Sequence, residues 1–258
     1  MLRDTDALPP AVVPRGERVY AIGDIHGRRD LFAALAAAID ADDAQRPRAD
    51  TTVILLGDLV DRGPESAGVI EHAIAWSRRR RVRLVAANHE EMFLDALQDT
   101  GALRHFIRIG GRETILSYGI TPQDFQRATL EELRQMVRAA IPPAQLAFLA
   151  TATESIRVGG YLFAHAGIKP GVEIDAQRSG DLRWIREPFL SSTADHGAVV
   201  VHGHTIVDEP EFRRNRIGID TGAFASGRLT ALCLEGEKRW ICEARELRGE
   251  IGTSIRPA

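Results

Sequence analysis

The apolar run Thr52-Val53-Ile54-Leu55-Leu56 stops at Gly57-Asp58-Leu59-Val60-Asp61-Arg62-Gly63-Pro64, and this junction constrains the chain more than any other stretch. A near-continuous hydrophobic run bounded by glycine is the pattern of a strand buried on both faces of a sheet. The polar loop that follows therefore sits on a sheet rim. It carries two carboxylates and a guanidinium between glycines that permit sharp backbone turns. A simple turn with solvated charges would look much the same, so the junction gains meaning from its recurrence along the chain.

It recurs on both sides. Val19-Tyr20-Ala21-Ile22 ends at Gly23-Asp24-Ile25-His26-Gly27, and residues 82–86 lead to Asn88-His89-Glu90. Asp30 is placed to cap an intervening helix whose Leu31, Leu35 and Ile39 share one face, and a second helix runs from Pro64 to about Trp76. Strand, helix and strand in this order predict parallel crossover units, whose strand ends all point the same way. From Glu91 to about Thr153 the pattern turns helical, with a capping box at Thr129 and Glu132, a helix start at Pro142-Pro143 and a turn at Gly110-Gly111. This segment reads as a helical cap, residues 91–153, inserted into one large domain spanning residues 1–258. Short strands then return. Residues 161–164 run into His165-Ala166-Gly167, and residues 198–201 into His202-Gly203-His204-Thr205. Strands near 217–219, 229–234 and 239–244 predict an antiparallel meander.

Composition narrows the function classes. With 44% hydrophobic and 27% charged residues the chain is ordinary for a globular protein, and a net charge of -3 gives no reason to expect a nucleic-acid or membrane partner. The arginine run at 78–81 reads as a solvated helix end. Cys233 and Cys242, the only two cysteines, flank a hairpin turn at Glu235-Gly236-Glu237 and read as reduced core residues. Residues 1–15 lack the basic start and apolar core of a signal peptide and read as a frayed end. No run is long enough to span a bilayer, so the cytoplasm is the expected location.

Asp24, His26, Asp58, Asn88, His165 and His204 all fall at strand ends. Carboxylates, imidazoles and one amide oxygen without thiolate suit divalent manganese, iron or zinc. Six ligands are too many for one structural zinc and too few to fill two octahedra, which leaves the open positions that catalysis needs. Asp58 can offer one oxygen to each of two cations about 3.5 to 4 Å apart, whose joint charge would lower the pKa of a shared water and yield a nucleophile for in-line attack on phosphorus. His72, His105, His196 and His202 read as structural.

In order, Gly23-Asp24-Ile25-His26-Gly27, Gly57-Asp58-Leu59-Val60-Asp61-Arg62-Gly63, Asn88-His89-Glu90, His165-Ala166-Gly167 and Gly203-His204-Thr205 resemble the five motifs of metallophosphoesterases. The bacterial and phage branch of the serine/threonine protein phosphatases is most similar. The resemblance implies an α/β fold of two mixed sheets packed face to face with helices outside, and two metals, commonly manganese. By motif position Asp24, His26 and Asp58 would hold one metal, and Asp58, Asn88, His165 and His204 the other. His89 would protonate the leaving alcohol, held by Asp61, and Arg62 would grip phosphate. In Leu182-Arg183-Trp184-Ile185-Arg186-Glu187 the resemblance assigns a second phosphate-binding arginine to Arg186, with Arg183 as competitor. Two positions depart from the pattern: Ala87 where glycine is usual, and Ala86 where many members carry arginine. Asp220-Thr221-Gly222-Ala223 resembles a late motif with a structural role.

The implied activity is hydrolysis of phosphoserine or phosphothreonine, with phosphotyrosine as a further candidate, on a phosphorylated protein or a small phosphoester. The alternative is hydrolysis of dinucleoside polyphosphates, as in the similar bacterial diadenosine tetraphosphatases; those usually lack the aspartate at position 61. Ile206 stands where phosphodiesterases of the superfamily carry a further histidine. A non-catalytic phosphoprotein-binding module would have no need to keep an acid such as His89.

Overall fold

The structure, a computed structural model, describes residues 11–258. Its strands are β1 (Glu17–Ile22), β2 (Asp50–Leu55), β3 (Arg81–Leu84), β4 (Ser155–Val158), β5 (Tyr161–Ala164), β6 (Val199–His202), β7 (Glu211–Phe212), β8 (Arg216–Gly218), β9 (Arg228–Glu235), β10 (Lys238–Leu247) and β11 (Glu250–Pro257). They form two mixed sheets, a six-stranded one in the order β11-β10-β9-β1-β2-β3 and a five-stranded one in the order β4-β5-β6-β8-β7. As expected, β1, β2 and β3 are parallel neighbours. So are β5, β6 and β8.

The period-two alternation of each strand builds two apolar layers at once. Val19, Ala21, Ile54 and Leu56 face the other sheet, where they meet Phe163, Val201 and Ile217. Tyr20, Ile22, Val53 and Leu55 face the opposite way, onto helices α1 (Arg29–Gln45) and α2 (Ser66–Ser77). This double burial is why these strands read as unbroken hydrophobic runs. The helical stretch after β3 contributes Leu133, Val137 and Leu149 to that second layer.

Several local expectations are corrected. Asp30 does not cap α1: the cap position is Arg28, and Asp30 lies inside the first turn, where it accepts from the Arg28 side chain at 2.9 and 2.8 Å. The strand near 217–219 belongs to the five-stranded sheet, parallel to β6, so the meander comprises β9, β10 and β11. β11 is not legible in the sequence because its residues are mostly exposed and follow no apolar alternation. Residues 1–10 lie outside the described residues, but 11–15 do not form a frayed end. Ala11 and Val13 are buried between the sheets, Val13 donates its N–H to Gly236 O at 3.0 Å, and Val12 O accepts from Gly160 N at 3.0 Å. Cys233 and Cys242 are free, buried and 3.3 Å apart at sulfur. No described helix is long and apolar enough to cross a membrane.

Candidate metal centre

The parallel strands deliver their carboxyl-terminal loops to one rim, and the backbone there is strained. Of the six non-glycine residues with positive φ among the described residues, five lie in the predicted motifs: His26 (44°), Asp58 (48°), Asp61 (73°), Arg62 (70°) and His204 (62°). Each such conformation costs roughly 1–3 kcal/mol and persists only where surrounding contacts enforce it. Those contacts are visible. The buried Glu90 carboxylate, in the first turn of α3 (Asn88–Ala96), accepts three backbone N–H groups of the loop after β2, from Asp58 at 2.9 Å, Leu59 at 2.7 Å and Val60 at 3.3 Å. Arg62 N–H donates to Gly110 O at 3.0 Å, from the helical region.

Asp58 stands at the junction of two donor groups. His26, Asp58 and His89 bring ligand atoms within 4.8 Å of one another, and so do Asp58, His165 and His204. The imidazole tautomers are set by main-chain carbonyls: His26 Nδ1 donates to Val60 O and His165 Nδ1 to Leu56 O, each at 2.8 Å. Both rings therefore turn an Nε2 lone pair inward. His165 Nε2 lies 2.7 Å from Asn88 Oδ1 and 3.4 Å from Asp58 Oδ1. Three acceptors facing one another repel unless a cation lies among them. Two more buried acceptors on this rim, Asp24 Oδ1 and His204 Nε2, have no hydrogen-bond partner. This donor set fits divalent cations.

Asp24 lies beside these groups rather than within either. Its Oδ2 accepts the His204 N–H at 3.0 Å, and a Cβ on Gly203 would lie 1.9 Å from its Oδ1, so only glycine fits there. Burial, with the charges of Asp220 and Asp58 adding to it, holds the Asp24 carboxyl well above the usual carboxylate range. Burial likewise pushes Asp58 up to about 7 and His204 down to about 4.

His89 Nδ1 meets Asp61 Oδ2 at 2.6 Å. Asp61 is fixed in turn, since its N–H donates to Ser66 Oγ at 3.0 Å and to Thr114 Oγ1 at 2.8 Å, and the Thr114 hydroxyl donates to its Oδ1 at 2.7 Å. Arg62 spans the centre, donating to His26 Nε2 at 2.8 Å and His89 Nε2 at 3.1 Å. The two candidate arginines also separate. Arg183 is bound by Glu154 at 3.1 and 2.5 Å and by Glu91 at 2.9 Å, whereas the exposed Arg186 is the charge that, after burial, most lowers His204. His202 is buried against Phe189, with ring centroids 5.1 Å apart. Ala87 keeps an ordinary extended backbone (φ −130°, ψ 163°), so the departure from glycine costs nothing there.

Sequence reasoning quoted Glu90 without a role, read Gly110 only as part of a turn, and passed over Ser66 and Thr114. A glutamate directly after the ligand-type pair Asn88-His89 was the available signal for the first. Ser66 and Thr114 stand 48 residues apart and carry no motif.

The profile of the calcineurin-like phosphoesterases matches residues 17–228. The chain belongs to that family. It is a metallophosphoesterase, and hence a hydrolase. Among curated relatives, bis(5'-nucleosyl)-tetraphosphatase PrpE [asymmetrical] of Anoxybacillus flavithermus is 29% identical over 230 residues, covering 82% of this chain and 88% of that protein. Serine/threonine-protein phosphatase 1 of Salmonella typhimurium is 27% identical over 238 residues, covering 89% and 98%. A solved cold-active protein tyrosine phosphatase shares the fold with a TM-score of 0.62 at 17% identity, covering 95% of this chain and 80% of that one.

Proposed function

We propose that this metallophosphoesterase hydrolyses bis(5'-nucleosyl) tetraphosphates, with residues 1–258 acting as one domain in which the helices near 91–153 cap the site. The observation that carries phosphoester hydrolysis is Asp58 standing between two histidine-containing donor groups. The substrate class is supported by relatives named bis(5'-nucleosyl)-tetraphosphatase, among them those at 29% identity from Anoxybacillus flavithermus and 26% from Bacillus subtilis. Alanine at position 86, where phosphoprotein phosphatases often place arginine, agrees with it. Those names reverse the order of the two substrate readings drawn from sequence.

Asp24, His26 and Asp58 would hold one divalent cation, and Asp58, Asn88, His165 and His204 the other, with Mn2+ as the proposed metal. Bound there, the cations supply charge neutralisation at phosphorus and lower the pKa of water. The remaining work falls to side chains. Arg62 presents a planar fork that matches two phosphate oxygens, and Arg186 is the proposed second phosphate-binding arginine. Burial lowers His89 and raises Asp61 to about 8, and their 2.6 Å contact joins the two side chains through one hydrogen bond. When Arg62 turns from the two imidazoles to an anionic phosphate, the charge beside His89 changes sign. That favours the imidazolium, which can then protonate the leaving oxygen while Asp61 keeps the ring oriented.

A second reading, phosphoserine or phosphothreonine hydrolysis, is favoured by the intact Asp61–His89 pair, because an alkoxide leaving group needs an acid more than a nucleotide does. Turnover of diadenosine tetraphosphate and of a phosphoserine peptide by the same manganese-loaded preparation distinguishes them. Faster turnover of the tetraphosphate is expected; faster turnover of the peptide reverses the assignment.

A further inference from the structure

Beside the polar centre stands an aromatic surface that the chemistry above does not use. Trp184, at the end of the short helix Ser179–Trp184, is 43% exposed, while the chain's other two tryptophans, Trp76 and Trp240, are buried. Its ring centroid lies 6.4 Å from that of His204, with the planes at 77°. The indole is also fixed in place: Nε1 donates to Glu91 Oε2 at 2.8 Å, and Arg183 clamps Glu91 and Glu154 together beneath it. A residue that serves only packing would bury its ring; this one is braced through its edge with much of its surface left to water.

We infer that Trp184 is a stacking platform for one nucleobase of the substrate, an inference that rests on the nucleotide reading of the site. Stacking needs a flat π-surface at a set position and tolerates any base. The braced indole provides that surface with little conformational entropy left to lose on binding. The position is right as well, since the Trp184 ring lies against that of His204 and Arg186 follows two residues later in the chain. A phosphate held by Arg186 would have its attached nucleoside directed over the indole. A phosphoserine has no flat group to place there.

The test uses the manganese-loaded full chain and reads both binding and kinetics. Trp184→Ala raises KM for diadenosine tetraphosphate about tenfold with a smaller effect on kcat, and Trp184→Phe recovers most of the loss. Adenosine monophosphate quenches the exposed component of tryptophan emission, inorganic phosphate does not, and Trp184→Phe abolishes the quench. Normal tetraphosphate turnover with KM unchanged in Trp184→Ala overturns the platform and leaves the substrate reading standing. Quenching by adenosine monophosphate at Trp184 without tetraphosphate turnover overturns the substrate reading and leaves the platform standing. If neither nucleotide quenching nor a KM effect is seen, the inference is wrong.

Discussion

Glu90 Oε2 accepts the backbone N–H of Asp58 at 2.9 Å, so the residue at the junction of the two donor groups is aimed by a carboxylate from the neighbouring helix. The other Glu90 oxygen holds Leu59 and Val60. Burial pushes Glu90 up to about 7, and the three N–H bonds work against that rise. Glu90→Gln places an NH2 against one of these donors, leaving a buried clash where an acceptor was. Metal affinity is expected to fall about 10- to 100-fold, the usual scale for losing a group that orients a ligand. Metal titration of the variant checks this, and wild-type affinity would show that Asp58 does not depend on Glu90.

Because Asp58 belongs to both donor groups, Asp58→Ala and His204→Ala should differ in kind. The first is expected to strip the protein of both cations, the second to leave roughly one per chain. Elemental analysis after gel filtration counts them. Equal metal content in the two variants would mean that Asp58 is not shared.

His89→Asn removes the proposed acid while leaving the proposed metal ligands in place. Turnover should drop by about 10²–10⁴-fold on a phosphoester with an alkyl leaving group and far less on p-nitrophenyl phosphate, with metal content unchanged. A uniform loss on both substrates would assign His89 to binding instead.

Far from the centre, Asp42 ties α1 to β1 and β10. It accepts from Tyr20 OH at 2.7 Å, Arg46 Nε at 2.8 Å and Nη2 at 2.9 Å, and Trp240 Nε1 at 3.0 Å. Burial acts to raise its pKa, but these bonds prevail and hold it below the ordinary value of 3.8. A carboxylate depressed on folding stabilises above its unfolded pKa and loses that contribution as pH falls through its folded one. Asp42→Asn should therefore cost about 1–3 kcal/mol at pH 7, and the deficit should shrink below about pH 4. Denaturant unfolding of chelated protein at pH 7 and pH 3 tests both halves; a deficit that does not narrow means the charge is irrelevant.

What could be read from the chain alone was whatever repeats locally. The apolar runs at β1, β2 and β5 announce strands buried on both faces, and Asp24, Asp58, Asn88, His165 and His204 all lie within a few residues of where such runs stop. Parallel strands point their ends alike, so strand ends rich in carboxylate and imidazole predict a shared rim. Tertiary structure alone decided what holds those residues in place. Thr114 and Ser66 orient Asp61 across 53 and 5 residues of chain, Gly110 O fixes Arg62, and Glu154 and Glu91 occupy Arg183. Such partners leave no pattern in sequence, because a hydrogen bond depends on separation in space and any residue with the right donor or acceptor can supply it.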